Sequence, residues 1–132
     1  MKVLTLRLKP GLKLKQEIEK LVQKYDIKAG FIISCVGGLN EITCRMAGAK
    51  PEKQDIRIFK SEFELVSLTG TISKTGCHLH IAFSDEEGRV LGGHLKEAII
   101  HPTAELTIGI DEDVSFDRKL DKETGFKELT VS

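Results

Sequence analysis

The sequence predicts a single α+β domain over residues 1–132, with a mainly antiparallel sheet and one main helix. Three observations carry this reading. Only residues 14–25 space their apolar side chains at the helical period. Elsewhere, apolar residues alternate with polar ones or form short continuous runs, both of which are strand patterns. Turn signals rich in Gly, Pro, Asp and Ser separate these runs. A chain of 132 residues is one domain by length and buries a core without staples.

Taken in order, Val3, Leu4, Leu6 and Leu8 read as a first strand, ended by Pro10-Gly11. Leu14, Ile18, Leu21, Val22 and Tyr25 mark a helix with a lysine-rich opposite face. Residues 29–36 are continuously apolar, as in a strand buried on both faces, and Gly37-Gly38 is expected to end it. Residues 42–47 form a strand and 48–55 a connecting loop. Residues 56–60 and 63–73 are strand-like, with Phe63, Leu65 and Ser67 on one face and a bulge expected at Gly70. Thr75-Gly76 turns the chain into a strand over 76–83. Ser84–Gly88 signals a hairpin, 89–91 returns, and 98–100 and 104–110 are two more strands. The tail from Phe116 to Val131 has no clear period, but Phe116, Leu120, Phe126 and Leu129 would pack it down. The sum is one helix and seven or eight short strands.

Composition narrows the function classes. A hydrophobic content of 40% with 30% charged residues excludes disordered and low-complexity chains. The formal net charge is zero, whereas a protein that binds nucleic acid alone usually carries a basic stripe. Eight Lys/Arg against three Asp/Glu crowd residues 1–30, which reads as the solvated face of the helix. Asp111-Glu112-Asp113 lacks the alternating oxygens and Gly of a calcium loop and reads as a turn or strand end. Cys35, Cys44 and Cys77 are odd in number and without CxxC spacing, as expected of reduced thiols in a cytoplasmic protein. Arg7 and Lys9 interrupt the N-terminus too early for a signal peptide, and no apolar run approaches the ~18–20 residues of a membrane span. Walker A, GxGxxG, GxSxG and HExxH motifs are all absent.

The chemistry concentrates in Gly76-Cys77-His78-Leu79-His80-Ile81-Ala82-Phe83, followed by Gly92-Gly93-His94. On a strand, His78 and His80 project from one face while Leu79, Ile81 and Phe83 pack on the other. His94 lies just past a hairpin and a Gly-Gly corner that permits close backbone approach. A lone histidine is more often a packed residue than a ligand. Three neutral imidazoles on rigid elements, with a fourth position open, form a common zinc arrangement. Cys77, next along the strand, would point away from them, and His101 before Pro102 reads as structural or exposed. Arg45 and Glu64 are charged residues inside apolar strand patterns, which makes them the candidates for an anion anchor and an acid/base.

These blocks resemble a known family. Gly76-x-His78-Leu79-His80, Asp85-x-x-Gly88-Arg89-Val90-x-Gly92-Gly93-His94-Leu95 and Thr103-Ala104-Glu105 are similar to the PPC domain, conserved in plants and prokaryotes and also called domain of unknown function 296. So are Lys9-Pro10-Gly11, Ile33–Leu39, Phe63–Gly70, and the tail Phe116-Asp117-Arg118 through Asp121-x-x-Thr124-Gly125-Phe126-Lys127-Glu128-Leu129. The resemblance implies a homotrimer with an architecture similar to acetolactate decarboxylase, a zinc enzyme with ligands in the order His-x-His…His. It assigns a divalent metal, zinc, to His78, His80 and His94. In plants the family's DNA binding belongs to a fused AT-hook with an Arg-Gly-Arg-Pro core. That core is absent here, so direct nucleic-acid binding is not expected. The plant domain recruits protein partners through a block matching Ser61–Val66, where Ser61-Glu62 replaces the usual Gly-Arg.

Three function classes follow. The first is a metal-binding trimer acting as scaffold or small-ligand binder. The second is a zinc-dependent lyase or hydrolase acting on a small oxygenated substrate. The third is a DNA-associated protein.

Overall fold

A computed structural model describes all 132 residues. The elements are β1 (Lys2–Leu8), α1 (Leu14–Lys24), β2 (Gly30–Arg45), β3 (Ile56–Ser73), β4 (Gly76–Ser84), β5 (Val90–Ile110), β6 (Phe116–Leu120) and β7 (Lys127–Val131). A five-stranded sheet runs in the order β1-β5-β2-β3-β4, and β4 also pairs with β5. Every pairing is antiparallel. The ring β2-β3-β4-β5 therefore closes on itself, which removes its free edges.

β5 makes this closure possible. One of its edges pairs with β2 from His94 to Ile110, while the other serves β4 over Val90–His94 and β1 over Ala104–Ile110. Between those two partners the backbone of Gly11 and Leu12 hydrogen-bonds to Ile100. The helix follows at once, and its buried stripe Leu14, Ile18 and Val22, spaced four residues apart, faces a core of 23 buried residues. The opposite, lysine-rich face is solvated as expected, with Lys20 paired to Glu17 and Lys15 to Glu19. No side chain at Lys13 caps α1. Instead Glu97 of β5 accepts from the backbone N–H of Lys15 at 2.8 Å and of Gln16 at 3.2 Å. A carboxylate there meets orphan donors and the positive end of the helix dipole.

The strands are fewer and longer than the sequence suggests. Gly37-Gly38 does not end a strand; β2 runs through it for 16 residues. The ladder shifts there, with Gly37 opposite Ala104 and Leu39 opposite Ile100, so His101–Thr103 bulges over Gly38. A Cβ on Gly38 would lie 2.3 Å from the His101 carbonyl oxygen. The glycines thus admit a close strand rather than a turn. The predicted pieces 56–60 and 63–73 fuse into β3, and those at 89–91, 98–100 and 104–110 fuse into β5. The bulge expected at Gly70 lies instead between Leu65 and Ser67, which brings both Leu65 and Leu68 into the core and turns Ser67 outward. The aperiodic tail is a hairpin, β6–β7, whose Phe116 N–H donates to Lys28 O at 3.0 Å. No helix is long and apolar enough to cross a membrane.

Candidate metal centre

The alternation of β4 holds. Leu79, Ile81 and Phe83 are buried, while His78 and His80 stand on the other face. The ladders add neighbours on that face, because directly opposed antiparallel residues project together. His80 faces His94 on β5 and Thr69 on β3; His78 faces Thr71. His94 is opposed a second time, by Arg45 at the end of β2. A row Arg45–His94–His80–Thr69 thus crosses four strands. Two glycines let β5 lie between its partners at this point: a Cβ on Gly92 would meet Ile81 O at 2.4 Å, and one on Gly93 would meet Arg45 O at 2.8 Å.

One ring nitrogen of each histidine lies within 4.8 Å of those of the other two, a grouping that could hold a metal ion. The ring centroids are 4.9, 5.2 and 5.6 Å apart. His78 Nε2 and His80 Nε2 are separated by 3.1 Å. Two nitrogens on one tetrahedral zinc at its usual bond length stand about 3.4 Å apart, so this pair is near ligand spacing. His94 Nδ1 is buried with no hydrogen-bond partner, a state that is costly for a ring nitrogen unless something accepts or donates there. Burial holds the His94 imidazole down to about 4 against the ordinary 6.5, with Arg45 and His78 adding to the effect. Burial also lowers His78, reinforced by His80 and Arg118. Both rings are therefore neutral near pH 7, the form a metal needs. On donor type, spacing and protonation, the cluster fits a divalent ion.

A cavity of about 270 Å³ opens over His78 and His94, with Arg45, Arg118, Phe126, Lys127 and Glu128 in its walls. A second hollow of about 280 Å³ beside His80 shares His78, Arg118 and Glu128. The C-terminal hairpin supplies much of both. It is moored by Arg118, whose N–H donates to Thr75 Oγ1 at 3.1 Å and whose Nη2 donates to Thr71 Oγ1 at 2.7 Å. The Arg45 guanidinium stacks over the Phe126 ring, 5.0 Å from its centroid.

The structure thus joins His78, His80, His94 and Arg45. It does not bring Glu64 to them: that side chain is exposed, opposite Ser84 on β4 and Gly38 on β2, and lines a separate cleft with Asp85 and Glu86. His101 is exposed at that same cleft, as expected. Cys77 is not among the grouped donors; it packs against the core, where burial raises its thiol pKa. Asp113 N–H donates to Asp111 Oδ1 at 3.0 Å, which makes that acidic run a turn. Arg118, Phe126 and Glu128 carry no metal-ligand spacing. Their signals in the sequence are the similarity of the tail block, Phe116-Asp117-Arg118 through Leu129, to the family and the apolar Phe126 that packs the tail down.

The family model of the Plants and Prokaryotes Conserved (PCC) domain matches residues 1–110. That span contains the histidines and Arg45 and stops short of the hairpin. Curated relatives include the bifunctional protein GlmU of two Synechococcus strains, 36% and 35% identical over 132 residues. The chain spans only about a fifth of their length (21% and 20%). Among solved structures, a hypothetical protein from Salmonella cholerae-suis is 34% identical with a TM-score of 0.93, over 99% of this chain and 93% of that one. A metal-containing protein from Archaeoglobus fulgidus is 25% identical with a TM-score of 0.84, over 98% and 94%. At the level of the fold, acetolactate decarboxylase from Bacillus subtilis is similar over 82% of this chain and 52% of its own, with a TM-score of 0.52 and 19% identity. With a family model covering most of its length and a fold that agrees, the chain belongs to the Plants and Prokaryotes Conserved domain family.

Proposed function

We propose that this protein is a homotrimeric metal-binding domain in which His78, His80 and His94 hold one divalent ion, zinc, at the floor of a cavity for a small ligand. The observation that carries the reading is the convergence of three ring nitrogens within 4.8 Å beneath an open cavity. Three imidazoles without a carboxylate suit zinc better than magnesium or calcium, which take oxygen ligands. The similar protein from Archaeoglobus fulgidus is described as metal-containing. Exposed apolar side chains on β2 and β3, namely Ile33, Val36 and Val66, support burial against further copies of the chain. Replacing His94 with Ala tests the site: bound zinc should fall from about one per chain to a trace by elemental mass spectrometry. Stoichiometric zinc in that variant would remove the proposal's basis.

A second reading, a zinc-dependent lyase or hydrolase on a small oxygenated substrate, is favoured by one observation: Glu128 faces the cavity beside His78. A zinc ion there would polarise a carbonyl or acidify a bound water. Glu128 would then move the proton, and Arg45 and Arg118 would orient the substrate. Nucleic acid has no part in either reading, since the chain carries no net positive charge and no Arg-Gly-Arg-Pro core. A gel shift on AT-rich DNA at physiological salt should show no complex.

A further inference from the structure

We infer that the cavity over the histidines takes a small carboxylic acid, its carboxylate held by Arg45 and Arg118 and an oxygen on the adjacent carbon turned to the histidine cluster. This rests on the metal reading above and names the ligand class of the same site.

The charge of the walls comes first. Arg45, Arg118 and Lys127 line the cavity against one carboxylate, Glu128. The exposed Arg57 and Arg89 have acidic partners at 2.7 and 2.9 Å, but no ion pair engages Arg45 or Arg118. Both are half-buried. Half-buried guanidinium groups without a counter-charge are costly and call for an anion. The Arg45 guanidinium makes no side-chain hydrogen bond to the protein and lies over the Phe126 ring. Its planar fork is free for two parallel bonds to a carboxylate.

Geometry and size then narrow the ligand. Arg45 lies directly opposite His94, so a carboxylate on its fork sets the next carbon beside the imidazoles. The cavity, about 270 Å³, falls just below the roughly 300–1,000 Å³ of ordinary ligand pockets. The walls are net positive, with Arg45, Arg118 and Lys127 against Glu128, so charge alone admits a phosphate as well as a carboxylate, and the titration below separates the two. Finally, Arg118, Phe126 and Glu128 lie beyond residues 1–110, the span the family model matches. The hairpin thus adds the Arg118 and Glu128 side chains to a histidine cluster and an Arg45 anchor that lie within the matched span.

The test is calorimetric titration of the zinc-loaded and metal-free protein with glycolate, acetate and inorganic phosphate. Glycolate should bind the zinc-loaded protein at least about tenfold more tightly than acetate, which lacks the second oxygen, and more tightly than phosphate. Arg45→Gln should weaken glycolate about tenfold or more with zinc content unchanged, as expected for a lost charge-assisted pair. Arg45→Lys, which keeps the charge and loses the fork, should fall between. Glycolate binding unchanged in Arg45→Gln, or phosphate binding the tightest, overturns the inference. Failure to load zinc sinks the metal reading instead. The anchor is then judged on acetate and the metal-free protein: loss of binding in Arg45→Gln supports it, and unchanged or absent binding refutes it.

Discussion

His78 and His80 share a face because strands repeat every two residues, so two of the three clustered histidines were legible in the sequence. His94 was legible through the Gly92-Gly93 pair that precedes it, which signals close backbone approach. Arg45 was named only as a charge in an apolar strand; its place opposite His94 depends on a β2–β5 ladder with four register shifts, and no local pattern records those. Arg118 and Glu128 arrive by docking of a tail without periodicity, and only tertiary contacts disclose them. At this scale the protonation of His94 gives a sign-definite expectation. Above pH 6.5 the ring is neutral in folded and unfolded chains alike. Between 6.5 and about 4 the unfolded chain binds a proton that the folded ring refuses. The metal-free protein should therefore lose stability as pH falls through that window. Urea midpoints against pH should show a flatter slope in His94→Gln; identical slopes would contradict the burial of this ring.

Among the elements, helix existence was easy to read and strand boundaries were not. Residues 14–24 carry their own period, whereas Gly37-Gly38 and Gly92-Gly93 look like breaks and are crossings where two backbones come close. Gly70 shows the same physics. It has a φ of +145° and stays in register with Leu79, and a Cβ there would sit 1.9 Å from the His78 carbonyl oxygen. Gly70→Ala should cost upward of about 2 kcal/mol, from a strained backbone and forced separation of β3 from β4. It should also weaken zinc binding by moving the histidine strand. Denaturant midpoints and zinc affinity check both. At the start of α1, Glu97→Ala should cost about 1–2 kcal/mol by urea denaturation, since it leaves the N–H groups of Lys15 and Gln16 without an acceptor.

For the whole molecule, the α+β class and antiparallel sheet were legible from alternation and turn signals. Closure of the ring was not, because it depends on one strand, β5, serving three partners. Nor does a single chain display its assembly. The proposed trimer predicts a solution mass of about three times 14.7 kDa by sedimentation equilibrium. Val66→Asp, placing a charge at an exposed apolar position on β3, should reduce that mass toward one chain without unfolding it. The central claim, however, is the metal. Elemental analysis of untagged protein, with its mass under native conditions, addresses it most directly. About one zinc per chain, lost together with the His78, His80 and His94 side chains, is the predicted result. Protein that purifies without metal and takes up none from added zinc would contradict it.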